Sequence, residues 1–173
     1  MVYYLAYGSN LHPLRLLERV PSSRPVGRVE LEGFRLAFHK LGQDGSGKCN
    51  IVESDNPEDR VHAALYTLAR EEKPLLDGFE GAGYSVEYLE VPWQGRRIQA
   101  FVYIAEAPYI DDKLAPYHWY KEIVRLGASH LDLPGHYIQY IEEHESIQDP
   151  DLERDSKHAR LIERILDWPP IMG

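Results

Sequence analysis

Ser85-Val86-Glu87-Tyr88-Leu89-Glu90-Val91-Pro92-Trp93-Gln94-Gly95-Arg96-Arg97-Ile98-Gln99-Ala100-Phe101-Val102-Tyr103-Ile104-Ala105 is the stretch that decides the fold class. Two runs rich in β-branched and aromatic residues, Ser85 to Trp93 and Arg97 to Ala105, flank Gln94-Gly95 and read as a hairpin. Past Pro108 the pattern changes period. Pro116 to Ser129, Pro134 to Glu145 and Asp151 to Trp168 all carry apolar stripes at helical spacing. Toward the N-terminus the sequence reads as strands separated by turns: Val2 to Tyr7, Arg24 to Glu32, Phe34 to Lys40, Cys49 to Glu53 and Val61 to Leu68. Two short helices interrupt them. Leu11 to Arg19 has Ser9 or Asn10 as its expected N-cap and Pro13 in its first turn, and Ala69 to Phe79 begins acidic. Strands first and helices last mean α+β rather than a βαβ repeat. About seven strands are expected to curl into a small mixed β-barrel or a strongly curved sheet, with flanking helices and a helical C-terminal third.

The chain has 173 residues, 43% hydrophobic and 27% charged, which suits one globular domain with a core of its own. Asp plus Glu number 28 against 19 Lys plus Arg, a net charge of −9. That balance argues against a nucleic-acid backbone and against an anionic membrane surface as partners. A single cysteine cannot form an intramolecular disulfide. With no basic leader and no apolar run of about 20 residues, it leads us to expect a cytoplasmic protein. Twelve tyrosines against four phenylalanines are an excess that suits partly wet pockets or interfaces.

Three apparent motifs fail on their chemistry. Gly42 to Gly47 followed by Lys48 has the spacing of a phosphate-binding loop, but Cys49 stands where a hydroxyl would hold magnesium and a strand follows instead of a helix. A hairpin turn is the plain reading. The eight histidines include no i, i+4 pair with a neighbouring glutamate, so no metal is expected. Nothing near Cys49 in sequence would activate its thiol.

Three segments keep a functional reading beside an ordinary one. At Tyr7-Gly8-Ser9-Asn10-Leu11 a strand ends in a glycine and small polar residues, and free amides there suit a carboxylate or an oxyanion; an ordinary helix start is the alternative. In Leu75 to Tyr84, Glu80 follows Phe79 and precedes Gly81-Ala82-Gly83. In a partly dry pocket its pKa would rise toward that of a useful general base; otherwise it is a solvated acid in a turn. Tyr120 shares a helix face with Ile123, Val124 and Gly127, and either points its hydroxyl into a pocket or is a core tyrosine.

Together these segments resemble the γ-glutamylcyclotransferase family. Tyr7-Gly8-Ser9-Asn10-Leu11 is similar to the family's substrate loop, and Asn50-Ile51-Val52 to a recurrent strand. Leu76-Asp77 with Glu80-Gly81 resembles the segment of its catalytic glutamate, and Tyr120-Lys121 with Gly127-Ala128 and Leu133-Pro134 its pocket-tyrosine helix. The resemblance spans residues 3 to about 138. It implies a family domain over residues 1–145, with 146–173 as a helical extension packed on it. It also implies cofactor-free cleavage of a γ-glutamyl amide: the substrate's α-amine attacks its γ-carbonyl, giving 5-oxoproline and a free amine. Glu80 would be the general acid and base, with Tyr7, Gly8, Ser9, Asn10, Tyr84 and Tyr120 binding substrate. The expected partner is a small γ-glutamyl molecule, and a homodimer stays open. A non-catalytic ligand-binding or protein-interaction module on the same fold is the rival reading.

Overall fold

The computed structural model describes residues 1–170. Seven strands and five α-helices follow in order: β1 (Val2–Ala6), α1 (Pro13–Arg19), β2 (Arg24–Glu32), β3 (Phe34–Leu41), β4 (Gly47–Glu53), β5 (Arg60–Leu68), α2 (Lys73–Glu80), β6 (Tyr84–Trp93), β7 (Arg96–Ala105), α3 (His118–His130), α4 (Gly135–Glu142) and α5 (Leu152–Leu166). The α+β class and the strand count agree with the sequence. The hairpin β6–β7 pairs Tyr84 with Ala105 through to Trp93 with Arg96, and turns at Gln94 and Gly95, both at positive φ.

The barrel does not form. Five strands make one mixed sheet in the order β2-β5-β1-β7-β6, in which only β1 and β7 run parallel, while β3 and β4 form a separate two-stranded ribbon. The open places are filled by side chains instead of ladders. Where β2 approaches β6, the Trp93 ring lies so close to Gly27 that a Cβ there would come within 2.1 Å of it. Between β4 and β7 the Asn50 side chain takes the place of a partner strand, accepting from Ala105 N–H at 2.8 Å. The result is an open mixed sheet and a ribbon with side-chain seams.

Leu5, Leu65, Phe101 and Ile123 are among the fully buried side chains that join sheet and helices. Helix α3 presses onto the chain after β1, and a Cβ on Gly127 would fall 2.6 Å from Leu11 Cβ. Helix α5 is tied down by Asp149, which is 0% exposed; it accepts from Trp119 Nε1 on α3 at 2.8 Å and pairs with Arg154 on α5 at 2.6 Å. Leu161 and Ile165 are buried, while Leu166 stays exposed. Among the described residues no helix is long and apolar enough to cross a membrane.

Candidate active site

The central strand β1 ends at a loop whose geometry differs from the sequence expectation. Neither Ser9 nor Asn10 caps α1. His12 does, its Nδ1 accepting from Leu14 N–H at 3.2 Å. Leu11 N–H closes a turn on Gly8 C=O at 3.1 Å, and no acceptor among the described residues takes the amides of Gly8, Ser9 or Asn10. The loop is clamped from two sides. A Cβ on Gly8 would lie 2.9 Å from Cys49 Cβ on β4, while Gly127 on α3 admits Leu11.

Asn10 is free of capping because its side chain serves three partners. Its Nδ2 donates to Glu80 Oε1 at 2.9 Å and to the Tyr4 hydroxyl at 3.2 Å, and its Oδ1 accepts from Arg19 Nη1 at 3.0 Å. The Arg19 donor fixes which way the amide points. Glu80 is the last residue of α2. Gly81 and Gly83, at φ +73° and +96°, then turn the chain back into β6, which returns Tyr84 to the same place.

Glu80, Tyr7, Gly8, Ser9, Asn10, Tyr84 and Tyr120 all line one recess of ≈ 20 Å³, joined by Tyr4, Tyr103 and Cys49. Burial raises the Glu80 pKa; Arg19, Lys40, Arg15 and the Asn10 hydrogen bond oppose it, and the balance stays upward. The tyrosines are interlocked. Tyr84 OH donates to Cys49 C=O at 2.6 Å, and Tyr120 OH accepts from Cys49 N–H at 3.0 Å while also facing the Cys49 thiol. Tyr7 OH donates to Tyr103 C=O at 2.5 Å, and Tyr103 OH to Asp77 at 2.5 Å. Burial holds Tyr7, Tyr84 and Tyr120 well above the ordinary phenol range, so they stay protonated. The same burial pushes the Cys49 thiol up to about 12 and keeps it inert.

A family model described as "Gamma-glutamyl cyclotransferase, AIG2-like" matches residues 4–122, more than half of the chain and all of these recess residues. The chain belongs to that family. A solved structure named γ-glutamyl cyclotransferase is 26% identical, with a TM-score of 0.80 over 94% of this chain and 98% of that one. A human structure described as uncharacterized protein loc79017 is also 26% identical, with a TM-score of 0.76 over the same shares. YkqA from Bacillus subtilis, 19% identical with a TM-score of 0.65, shares the fold over 84% of this chain and 56% of its own. A comparison with curated protein sequences finds no match.

This γ-glutamyl cyclotransferase-family recess shares Ser9, Glu80, Tyr84 and Tyr120 as walls with a larger cavity of ≈ 260 Å³. Several residues of that cavity carried no sequence reading: Arg15 and Arg19 on α1, Lys40 on β3, and Arg154 with His158 on α5. The i, i+4 spacing of each helical pair was the available signal. The turn Gly42 to Lys48 is a hairpin turn, yet its Asp44 and Lys48 line the cavity as a 2.7 Å ion pair. His158 lies flat on Trp119, ring centroids 3.5 Å apart, and desolvation lowers its pKa to about 4. It is neutral at pH 7.

Proposed function

We propose that this protein is a γ-glutamyl cyclotransferase that releases 5-oxoproline and a free amine from a γ-glutamyl amide. Glu80 accepts a proton from the substrate's α-ammonium. The freed amine attacks the γ-carbonyl carbon, the C–N bond of the lactam forms, and the carbonyl oxygen becomes an oxyanion. Collapse of that intermediate breaks the original amide C–N bond, and Glu80 returns its proton to the departing nitrogen. The second proton lost from the attacking nitrogen ends on the released amine, which leaves as an ammonium. No water is consumed and no group beyond substrate and protein takes part.

The observation that carries this reading is the setting of Glu80: a carboxylate with raised pKa, held by Asn10 in a recess of tyrosine hydroxyls and loop amides. A recess of ≈ 20 Å³ has room for about one water-sized group, such as a carbonyl oxygen. The amides of Gly8, Ser9 and Asn10 supply donors for an oxyanion there. Holding the substrate folded with its amine against its own carbonyl contributes by proximity. The single buried thiol of Cys49 fits a cytoplasmic setting.

The test is a panel of γ-glutamyl amides with 5-oxoproline read by mass spectrometry. Glu80→Gln, which keeps the shape and removes the base, should lower kcat by about 10²–10⁴-fold while the protein stays folded. Full activity in that variant would exclude Glu80 as the base. Release from no member of the panel would favour a non-catalytic binding module.

A further inference from the structure

The larger cavity is basic in a protein whose net charge is −9: Arg15, Arg19, Lys40, Lys48 and Arg154 all reach it. Two of these are neutralised locally, Lys48 by Asp44 at 2.7 Å and Arg154 by the buried Asp149 at 2.6 Å. The other three have no carboxylate paired to them among the described residues. Lys40 is only 2% exposed, donates to Ala82 C=O at 2.7 Å and lies against the Tyr84 ring at 4.3 Å. Arg19 gives one N–H to Asn10 and sits over the Phe79 ring at 5.2 Å. Arg15, one helical turn before Arg19, has a buried Nε with no hydrogen-bond partner among the described residues. Burial and then the neighbouring Arg19 lower its pKa to about 9.

A buried cation without a counter-ion costs free energy that an anionic ligand would offset. Three unpaired cations face one carboxylate, Glu80, so the cavity carries a surplus of two positive charges. The γ-glutamyl head, with one ammonium and one carboxylate, cancels itself. On the cyclotransferase reading the surplus falls to the departing half of the substrate, for which the larger basic cavity beside the recess has the room. A departing amine without acid groups brings no negative charge, an amino acid with a neutral side chain brings one, and an amino dicarboxylic acid brings two.

Resting on the cyclotransferase reading above, we infer that the substrate is a γ-glutamyl peptide whose departing residue is an amino dicarboxylic acid, selected by Arg15, Arg19 and Lys40. The chemistry of the reacting bond is unchanged. What the cations add is recognition of two carboxylates outside the recess, and Arg15, whose Nε has no partner among the described residues, is the specificity-determining residue.

The experiment uses isosteric pairs: γ-glutamyl-glutamate against γ-glutamyl-glutamine, and γ-glutamyl-aspartate against γ-glutamyl-asparagine. The acid of each pair should show a kcat/KM higher by about tenfold or more, the scale of one charge-assisted hydrogen bond. Added salt should narrow the gap. Arg15→Gln and Lys40→Gln should each reduce the acid-over-amide ratio, mainly through KM. Equal or better use of the amides by the natural protein would overturn the inference, as would a ratio left intact in both variants. Calorimetry of the same four peptides with Glu80→Gln separates binding from chemistry. If no γ-glutamyl compound yields 5-oxoproline, the cyclotransferase reading fails by itself. Tighter binding of the acids would then still support selection by charge, and equal affinities would overturn it.

Discussion

Asn10 Nδ2 donates to Glu80 Oε1 at 2.9 Å across seventy positions of sequence, and this contact joins the loop after β1 to the end of α2. A hydrogen bond to a carboxylate favours its charged form, whereas burial favours the neutral one. For Glu80 burial wins, with Asn10 among the groups that limit the rise.

The pH dependence of 5-oxoproline release follows from that balance. A base must be deprotonated to act, so activity should fall as pH drops through a Glu80 pKa lying above the ordinary carboxylate value. Asn10→Ala removes a group that lowers this pKa and should move the acidic limb of the kcat/KM profile to higher pH. The variant should lose activity in mildly acidic buffer and recover part of it as pH rises. A profile that keeps its acidic limb in place would show that Asn10 does not tune Glu80.

Tyr120→Phe deletes the acceptor of the buried Cys49 N–H. An unsatisfied buried donor costs about 1–3 kcal/mol. For a chain of this size that lowers Tm by about 2–4 °C per kcal/mol. Tyr84→Phe should cost less, because it deletes a donor to Cys49 C=O and leaves a carbonyl, which tolerates under-satisfaction better than an N–H. Thermal unfolding of the two variants side by side checks the order. A larger drop for Tyr84→Phe would reverse these assignments.

Gly8→Ala places a Cβ 2.9 Å from Cys49 Cβ and 3.3 Å from its Sγ, so the loop or β4 must give way. The loop amides would then shift relative to Glu80. Misplacement on the order of 1 Å in a positioned site can cost about 10²-fold in rate. Adding Cys49→Gly to Gly8→Ala should restore part of the lost kcat, because it removes both clashing atoms. A double variant no better than Gly8→Ala alone would mean that the Cys49 contact does not set the loop.

The α+β class and all seven strands were legible because hydrophobic period and turn residues are local signals, and the β6–β7 hairpin shows this best. Closure into a barrel was not legible. It depends on whether neighbouring strands meet as ladders, and here Trp93 over Gly27 and Asn50 beside Ala105 fill those seams with side chains. The cap of α1 was misjudged for a similar reason: Ser9 and Asn10 are both good caps locally, but Asn10 is held by Glu80, Tyr4 and Arg19 from other parts of the chain. Seven recess residues could be read from short family-like segments, whereas Tyr4, Tyr103 and Cys49 join them only through folding. The basic end of the cavity could not, since Arg15 and Arg154 lie 139 positions apart and meet only through folding.

Asp149 offers a test of how α5 shapes the cavity mouth. Its carboxylate is fully buried and accepts from Arg154, Trp119 Nε1 and Asp151 N–H, and the Arg154 hydrogen bonds above all hold its pKa well below the usual carboxylate range. A carboxylate whose pKa is depressed by folding adds stability at every pH above its unfolded value, about 3.9, and loses that contribution as pH falls through the folded value. Asp149→Asn should therefore lower Tm at pH 7, with the gap to the natural protein shrinking once pH falls below the unfolded value. The same substitution should speed amide hydrogen exchange in α5, and it should raise KM more than it lowers kcat, because Arg154 and His158 reach the cavity from that helix while Glu80 does not depend on it. An α5 as protected in the variant as in the natural protein would mean that Leu161 and Ile165 hold the helix without the ion pair.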